Sequence, residues 1–450
     1  MKVLVIGSGA REHALAAKIA ESPFVETLYA APGNAGMETV TLRSSGFLLE
    51  PVRMEVSDID GLCSFAQCVG IDLTVVGPEL PLALGIVDRF LEWGLPIVGP
   101  TKAAARLETS KIFAKQFMWR HGIPTAHGAV AYDMAVALGY IHDHFRTYGT
   151  PLVVKADGLA RGRGSFVCRS EDAAVHVARA LVEEGTLGEA GRSVVLEHFL
   201  YGEEISVHIL TNGTDWRWLP VSQDYKRLTA DPESPMTGGM GAISPVSACW
   251  NPVLEHKTAH LIIEPTLSKM RECGMPFQGV LYVGLMIVQE KSPEPYVLEY
   301  NVRFGDPEAE AILPRVRGDI VPYFCSVASR PRDVACSLPF VGEVTSQPIE
   351  FSPRHCVCVV LTSAGYPGAA IHHGHHLIEG LDIVATLSDT HVYHTGTVRG
   401  NDGRFQTLDG RVLSIVGEGD TLDSARGSAY TAVEKIHWTG IQYRLDIGLT

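Results

Sequence analysis

The first hundred residues alternate short apolar strands with helical stretches, and that alternation restricts the fold more than any other feature. Val3–Ile6 is an aliphatic, β-branched-rich run entering Gly7, and a helix follows from about Arg11. Further strands read at Thr27–Ala31, Leu73–Val76 and Ile97–Val98. Strands separated by helix-length connections pair in parallel, because no tight turn joins them. The expectation is an α/β chain that opens on a parallel sheet. Ligand loops then belong at the carboxyl ends of its strands. The short strand at the start does not read as a signal peptide.

The 450 residues suggest roughly three domains at the usual ~150 residues each. A 46% hydrophobic, 20% charged composition supports sizeable cores and argues against wholesale disorder. The formal charge of -14 argues against nucleic acid or an anionic membrane as partner, since both demand an excess of Lys and Arg. Small anionic substrates stay open, because a local basic cleft can sit in an acidic protein. No apolar run approaches the ~20 residues of a membrane helix. Nine scattered cysteines without CxxC pairs fit reduced thiols and a cytoplasmic location. Cys356 and Cys358 read as same-face strand residues rather than zinc ligands.

Along the chain, Leu107–His121 reads as one helix closed by Gly122-Ile123-Pro124. Residues 151–195 form a compact unit of strand, glycine-rich turn, strand, helix and strand. A larger mixed α/β body follows to about residue 330. A polar, proline-bearing link near Ser329–Pro339 precedes a last block, about 340–450, of short strands and turns.

The densest chemistry lies in Val297-Leu298-Glu299-Tyr300-Asn301-Val302-Arg303-Phe304-Gly305-Asp306-Pro307-Glu308. It opens as a strand with Val297, Glu299 and Asn301 on one face and Leu298, Tyr300 and Val302 on the other. A carboxylate and an amide oxygen two residues apart then point the same way, a spacing that suits one hard cation. Magnesium takes oxygen donors and commonly shares them with substrate phosphates. Arg303 projects into the same space, where a guanidinium clamps phosphate or carboxylate. Taken alone, such a pair is more often a half-buried strand with solvated polar residues. The rest of the chain tilts the reading toward the cation.

Gly7-Ser8-Gly9-Ala10-Arg11-Glu12-His13 follows the first strand and opens a helix, where backbone amides bind anions. A dinucleotide fingerprint fits poorly. Glu12 replaces the third glycine, and the second strand ends in Ala31-Pro32 without an acid for a ribose hydroxyl. Arg11 suits a phosphate monoester, although a purely structural turn stays open. The loops Pro32–Gly36 and Val76–Glu79 follow strands of the same sheet, so Asn34 and Glu79 are candidates for ribose hydroxyls. Lys155 ends a β-branched strand before Asp157-Gly158-Leu159-Ala160-Arg161-Gly162-Arg163-Gly164. Three glycines and two arginines describe a mobile lid over polyphosphate. The alternative is a solvated basic hairpin.

Together these pieces resemble the ATP-grasp superfamily and, within it, the phosphoribosylamine–glycine ligase family. The resemblance runs nearly end to end. It takes in GSGxREHAL, the GNAG and GPE loops, Ser110-Lys111-x-Phe113-Ala114-Lys115 and VVKADGLA. It continues through Leu196-Glu197-x-Phe199-Leu200-x-Gly202-Glu203-Glu204 and Ser222-Gln223-Asp224-x-Lys226-Arg227. Thr237-Gly238-Gly239-Met240-Gly241-Ala242 and the closing Tyr443-Arg444-x-Asp446-Ile447-Gly448 complete it.

The resemblance implies an N-terminal parallel α/β domain at 1–102 and an ATP-grasp domain at 103–330 with a lid at about 124–193. A β-rich domain at 331–450 would close the cleft. It implies ATP-dependent joining of glycine to phosphoribosylamine through an acyl phosphate in purine biosynthesis. The alternatives are a paralogue with another amino acid or amine, or a catalytically silent nucleotide-binding relative. Lys111, Lys155, Gly162, Arg163 and Gly164 would hold ATP phosphates, with Glu197 and Leu200 at adenine and Glu204 at ribose. Glu299 and Asn301 would bind Mg2+, with Mn2+ as a substitute. Gly9, Arg11, Asn34, Glu79 and Arg303 would hold phosphoribosylamine, while Arg303, Lys155 and Asp224 form the catalytic set. The implied partners are small molecules, to a monomer or homodimer.

Several positions depart from the family pattern. Arg161 and Arg163 replace Ala and Lys in the lid, Ala10 a glycine, His198 a glutamate and Met236 an asparagine. Ala309-Glu310 stand where Thr or Cys and then Gln are usual. Facing the amino-acid pocket, Glu310 would repel a carboxylate unless paired or protonated. The run His372-His373-x-His375-His376 reads as a solvated turn rather than a metal site, and Trp216 and Trp218 as packing.

Overall fold

The computed structural model describes all residues except 160–163, 232, 247–248, 290, 330–346, 369–374, 409 and 450. Arg161, Gly162, Arg163, His372, His373 and nearly all of the Ser329–Pro339 link therefore lie outside the described residues. Five strands build the first sheet: β1 (Lys2–Gly7), β2 (Thr27–Pro32), β3 (Glu50–Pro51), β4 (Leu73–Val76) and β5 (Ile97–Val98). They pair in parallel in the order β3-β2-β1-β4-β5. Val3, Leu4, Val5 and Ile6 are fully buried, because helices cover both faces of a central parallel strand. The order reverses beside β1, and the crevice at such a switch point is where α/β sheets receive ligands. Three glycine-bearing loops converge there: Gly33 N–H donates to the Gly7 carbonyl at 3.1 Å and Gly77 N–H to Ile6 at 2.9 Å.

A second, antiparallel sheet of β6 (Gly128–Ala131), β7 (Leu152–Ala156), β8 (Ser165–Cys168) and β9 (Val194–His198) runs in the order β6-β9-β7-β8. Helices Met134–Thr147 and Glu171–Val182 cover one face and give this unit its own small core, with Ile141, Val154 and Ala178 fully buried. The stretch read as one helix from Leu107 is two, Arg106–Thr109 and Lys111–His121. Ser110 breaks it, because its hydroxyl caps the second helix by accepting the Phe113 N–H at 3.1 Å. The same hydroxyl donates to Asp157 Oδ1 at 2.8 Å and so ties the Lys111 helix to the turn after Lys155.

Six strands follow: β10 (Gly202–Thr211), β11 (Trp216–Trp218), β12 (Gln223–Asp224), β13 (Gly241–Ser244), β14 (Gly279–Gln289) and β15 (Pro293–Asn301). β11-β10-β14-β15 form the central antiparallel sheet. Trp216 and Trp218 pack edge to face at 4.8 Å, as their spacing suggests. The strict alternation expected for Val297–Val302 does not hold. A register irregularity lets Leu285 pair with Val297 and Gly284 with Glu299, leaving Leu298 as an extra residue. Val297 therefore joins Tyr300 and Val302 in the core, while Glu299 and Asn301 turn to the cleft.

β16 (His355–Thr362), β17 (Thr390–His394), β18 (Thr397–Arg399), β19 (Phe405–Thr407) and β20 (Arg411–Gly419) supply the last part. β12-β13-β16-β20-β17 form one sheet, so two strands from the middle of the chain complete it. Cys356 and Cys358 are same-face residues of β16, as expected, and both are buried. No helix among the described residues is long and apolar enough to cross a membrane.

The last block docks on the first through close contacts. Asn34 Nδ2 donates to the His394 carbonyl at 2.7 Å, and His13 Nδ1 accepts the His394 N–H at 3.0 Å. A methyl group added at Gly36 would lie 2.2 Å from the His394 ring. Gly36→Ala should therefore lower unfolding stability in urea by about 1–3 kcal/mol, and His394→Ala in the same chain should recover most of that loss.

Candidate active site

The carboxyl edge of the first sheet faces β15 across a cleft, and the predicted residues gather there with neighbours the sequence did not single out. Glu299 lies at its centre. Lys226 Nζ approaches Glu299 Oε1 at 3.5 Å and also pairs with Glu204 on β10. Burial alone would raise the Glu299 carboxyl. Lys226, Lys111, Lys155 and Arg303 outweigh it and hold the group down at about 2. Asn301, two residues on, has an Oδ1 that accepts from Arg303 at 3.2 Å and a buried Nδ2 with no partner. The Glu299 carboxylate and Asn301 Oδ1 are an oxygen-donor pair of the kind a hard divalent cation takes, with Arg303 sharing the amide oxygen. Lys226 sits two residues after Asp224 on the same motif, a spacing that should have flagged it.

Lys155 is held rigidly, as its strand position suggests. Its ammonium donates to the carbonyl of the extra residue Leu298 at 3.0 Å and pairs with Glu197 at 3.0 Å. Glu197 also faces Lys115 at 3.2 Å and is 2% exposed. Burial outweighs that carboxylate and lowers the Lys115 ammonium to about 8. The structure thus sets the Glu197 carboxylate between two ammoniums. Leu200 lies in the connection from β9 to β10. Lys111 stands at the start of its helix, its backbone N–H on the Asp157 carbonyl at 3.0 Å, and burial lowers its ammonium from the ordinary lysine range. Gly164 pairs through its carbonyl with the Ala156 N–H at 2.8 Å.

Arg303 joins the two halves of the cleft. Its guanidinium meets Glu79 at 3.3 Å and Glu108 at 2.7 Å, and Glu108 also accepts the Val302 N–H at 2.7 Å. Glu79 would be raised by burial, yet Arg303 and Arg11 hold it at about 2. Glu108, deeper in the protein, is raised by burial despite Arg303. Glu108 sits just before the Ser110-Lys111 motif, and nothing in its local pattern separates it from a surface glutamate.

The first-strand turn is built differently from expectation. Gly9 N–H donates to Glu12 Oε2 at 2.6 Å, and Arg11 Nε donates to Glu12 Oε1 at 2.5 Å. A methyl group at Gly7 or Gly77 would lie 2.4 or 2.1 Å from the Glu12 side chain. The glycines therefore make room for a buried carboxylate as well as for any ligand. Asn34 donates to the Ser8 and His394 carbonyls at 2.8 and 2.7 Å, and it accepts the Gly36 and Met37 N–H groups, both at 2.9 Å. Its amide is fully engaged in shaping the loop, so the loop backbone rather than the Asn34 side chain faces the cleft.

Asp224 lies beneath this region with its Oδ1 buried and unpartnered. Burial and then Glu308 push its carboxyl well above the ordinary range. Glu308 accepts from Ser206 at 2.9 Å, and His208, lowered to about 3 by burial, accepts the Gly305 N–H at 3.1 Å. His198 faces away from the cleft, against His144 and Tyr148 at 4.8 and 4.7 Å between ring centroids. Glu310 is fully buried on the helix Glu308–Ile312 and turns toward Ser414 of β20, so it does not line an amino-acid pocket.

The chain matches three family profiles in order. "Phosphoribosylglycinamide synthetase, N domain" covers residues 1–108, the "ATP-grasp (A) domain" 109–309 and the "C domain" 356–450. A phosphoribosylamine–glycine ligase of Vibrio vulnificus is 42% identical, covering 100% of this chain and 98% of that protein. Its counterpart in Escherichia coli is 40% identical at the same coverage. The crystal structure of phosphoribosylamine–glycine ligase from Thermotoga maritima superimposes with a TM-score of 0.77 at 30% identity, over 99% of this chain and 100% of that one. A biotin carboxylase domain from Hydrogenobacter thermophilus, solved with MgADP, shares the fold at a TM-score of 0.68 and 17% identity, over 98% of this chain and 91% of that one.

The Glu79–Arg303 pair carries an acid-dependent share of stability. A carboxyl depressed to about 2 from 4.5 stabilises the fold above pH 4.5 and loses that contribution as pH falls toward 2. In thermal melts, Glu79→Gln should lie below the parent by on the order of 2 kcal/mol at neutral pH, allowing for solvent screening, and the two curves should converge as pH falls from 4.5 toward 2.

Proposed function

This chain belongs to the phosphoribosylglycinamide synthetase family, and on that premise we propose that it joins glycine to 5-phosphoribosylamine at the expense of ATP, releasing glycinamide ribonucleotide, ADP and phosphate. The observation that carries this reading is the ionised Glu299 carboxylate, paired with Lys226 at 3.5 Å and lying in the field of Lys111, Lys155 and Arg303. Such a cluster is built for polyphosphate, and it needs no Ser or Cys nucleophile. Catalysis here is positioning and charge neutralisation.

Lys111 and Lys155 reach from opposite sides of the Asp157 turn and bind the phosphates. Glu197 keeps Lys155 in place from behind, which makes its effect on the nucleotide indirect. Leu200 borders the base through its backbone, and Glu204, shared with Lys226, borders the ribose. Glu299 and Asn301 hold Mg2+, which when bound neutralises phosphate charge; Mn2+, which takes the same oxygen donors, would substitute. The helix start at Gly9–Arg11, the Asn34 loop and Glu79 receive the phosphorylated amine. Arg303, anchored by Glu79 and Glu108, orients the glycine carboxylate toward the transferring phosphoryl group. In the second step the amine forms the C–N bond, the C–O bond to phosphate breaks with its electron pair, and nitrogen loses a proton. Asp224, whose Oδ1 is buried and unpartnered beside this region, would accept it in its ionised form.

The purified protein should release ADP only when ATP, Mg2+, glycine and phosphoribosylamine generated in situ are all present, with the amide product identified by mass spectrometry. ADP release with another amino acid, and none with glycine, would overturn the substrate assignment. Glu299→Ala combined with Asn301→Ala should lower turnover at least about a thousandfold while circular dichroism stays unchanged. Persistent turnover in the double variant would remove the metal assignment.

A further inference from the structure

Glu310 stands out among buried groups the reaction does not use. It is fully buried, its Oε2 has no hydrogen-bond partner, and its Oε1 is 3.5 Å from the Ser414 hydroxyl. One helical turn before it stands a second carboxylate, Asp306, in direct contact with it. Among the described residues a single cation faces the two: Arg411, at the start of β20, pairs with Asp306 Oδ1 at 2.9 Å and donates to the Gly238 and Asp306 carbonyls at 2.9 and 3.1 Å. One guanidinium already engaged by the partly exposed Asp306 does not also neutralise Glu310, and an ionised Glu310 would leave an uncompensated charge in a dry core.

Among the described residues the surrounding elements offer no second cation. Cys358 on β16 and Tyr393 on β17 are both kept neutral by burial. Arg11, on the helix packed beside Glu310, is turned to Glu12 and the Phe304 carbonyl. Arg315, one turn further on, donates to Ser244 and to the Arg354 and Ser352 carbonyls, and Glu308 is turned to Ser206.

We propose that Glu310 is a positioning residue that carries a proton at neutral pH and donates it to Asp306, leaving one shared negative charge to hold Arg411. The consequence reaches the substrate end of the cleft. Asp306 Oδ2 lies 3.5 Å from where a methyl group on Gly9 would be, and Arg11 feels its charge. Loss of the shared proton at alkaline pH adds a second negative charge behind the turn that receives the phosphorylated amine, and it strains the tie between β20 and the Gly305-Asp306 turn. Burial and the neighbouring Asp306 charge push the Glu310 carboxyl in this direction, well above its ordinary range.

The sign is fixed by linkage. A carboxyl raised in the folded state is stabilising below about 4.5, and it becomes progressively costly as pH rises from there through its folded value. A neutral amide, Glu310→Gln, keeps the donor and acceptor and loses that dependence. Thermal melts of the full chain should therefore show Glu310→Gln gaining on the parent as pH rises from about 4.5 to 9. Asp306→Asn, which breaks the pair from the other side, should shrink the same slope. In the ligase assay at matched phosphoribosylamine concentration, the parent's kcat/KM for that amine should fall by up to about tenfold per pH unit on the alkaline side, and Glu310→Gln should flatten that limb.

Parallel melting curves for the parent and Glu310→Gln would overturn the proposal. If that variant fails to fold, an unchanged slope in Asp306→Asn would overturn it instead. The melting arm does not depend on the substrate pair, so a missing ligase activity with the thermal slope intact counts against the proposed function alone.

Discussion

Arg303 between Glu79 and Glu108 is the contact on which the cleft depends. It ties a loop of the first sheet to the end of β15 and the short helix Arg106–Thr109, at 3.3 and 2.7 Å. Three charged groups in a poorly hydrated place are tolerable only as a set, because each compensates the desolvation of the others. The set also fixes geometry. A guanidinium gripped by two carboxylates has little rotational freedom left. The same logic governs Glu299, where the nearby Lys226, Lys111, Lys155 and Arg303 keep a half-buried carboxylate ionised.

Backbone irregularity does as much as side-chain chemistry. Had β15 paired with β14 in strict alternation, Val297 would share the cleft face with Glu299. The extra residue Leu298 resets the register, sends Val297 into the core and frees a carbonyl that accepts from Lys155. One inserted residue thus places an apolar group, a metal-ligand candidate and a lysine at once. Ser110 acts similarly, ending one helix, capping the next and tying Lys111 to the turn after Lys155.

The last block is more than a cover. Its sheet takes β12 and β13 from the middle of the chain, so Asp224 and the Gly239 loop belong structurally to the block that closes over them. Arg411 and His394 extend this union to the Gly305-Asp306 turn and the Asn34 loop. Buried carboxyls recur along the seam: Asp224 with Glu308, and Glu310 with Asp306.

The sequence by itself determined the parallel opening sheet, the mixed α/β class and the identity of the loops that meet at the cleft. Those features follow from local periodicity and from glycine and proline placement, which act over a few residues. It also marked Lys155, Glu299, Asn301 and Arg303, because their spacing on one strand or turn carries meaning without tertiary knowledge. Only the folded chain decided which charges face one another. Glu108 and Lys115 look like surface residues in sequence, and Glu12 like a helix-start acid, until distant segments bury them against Arg303, Glu197 and the glycine turn. Asn34 looked free for a ligand until four backbone groups were found to use its amide. Whether Glu310 faces a substrate was open in the sequence, and its helix turns it to β20. Burial and pairing are long-range properties, set by where the chain returns in space, and local pattern does not encode them.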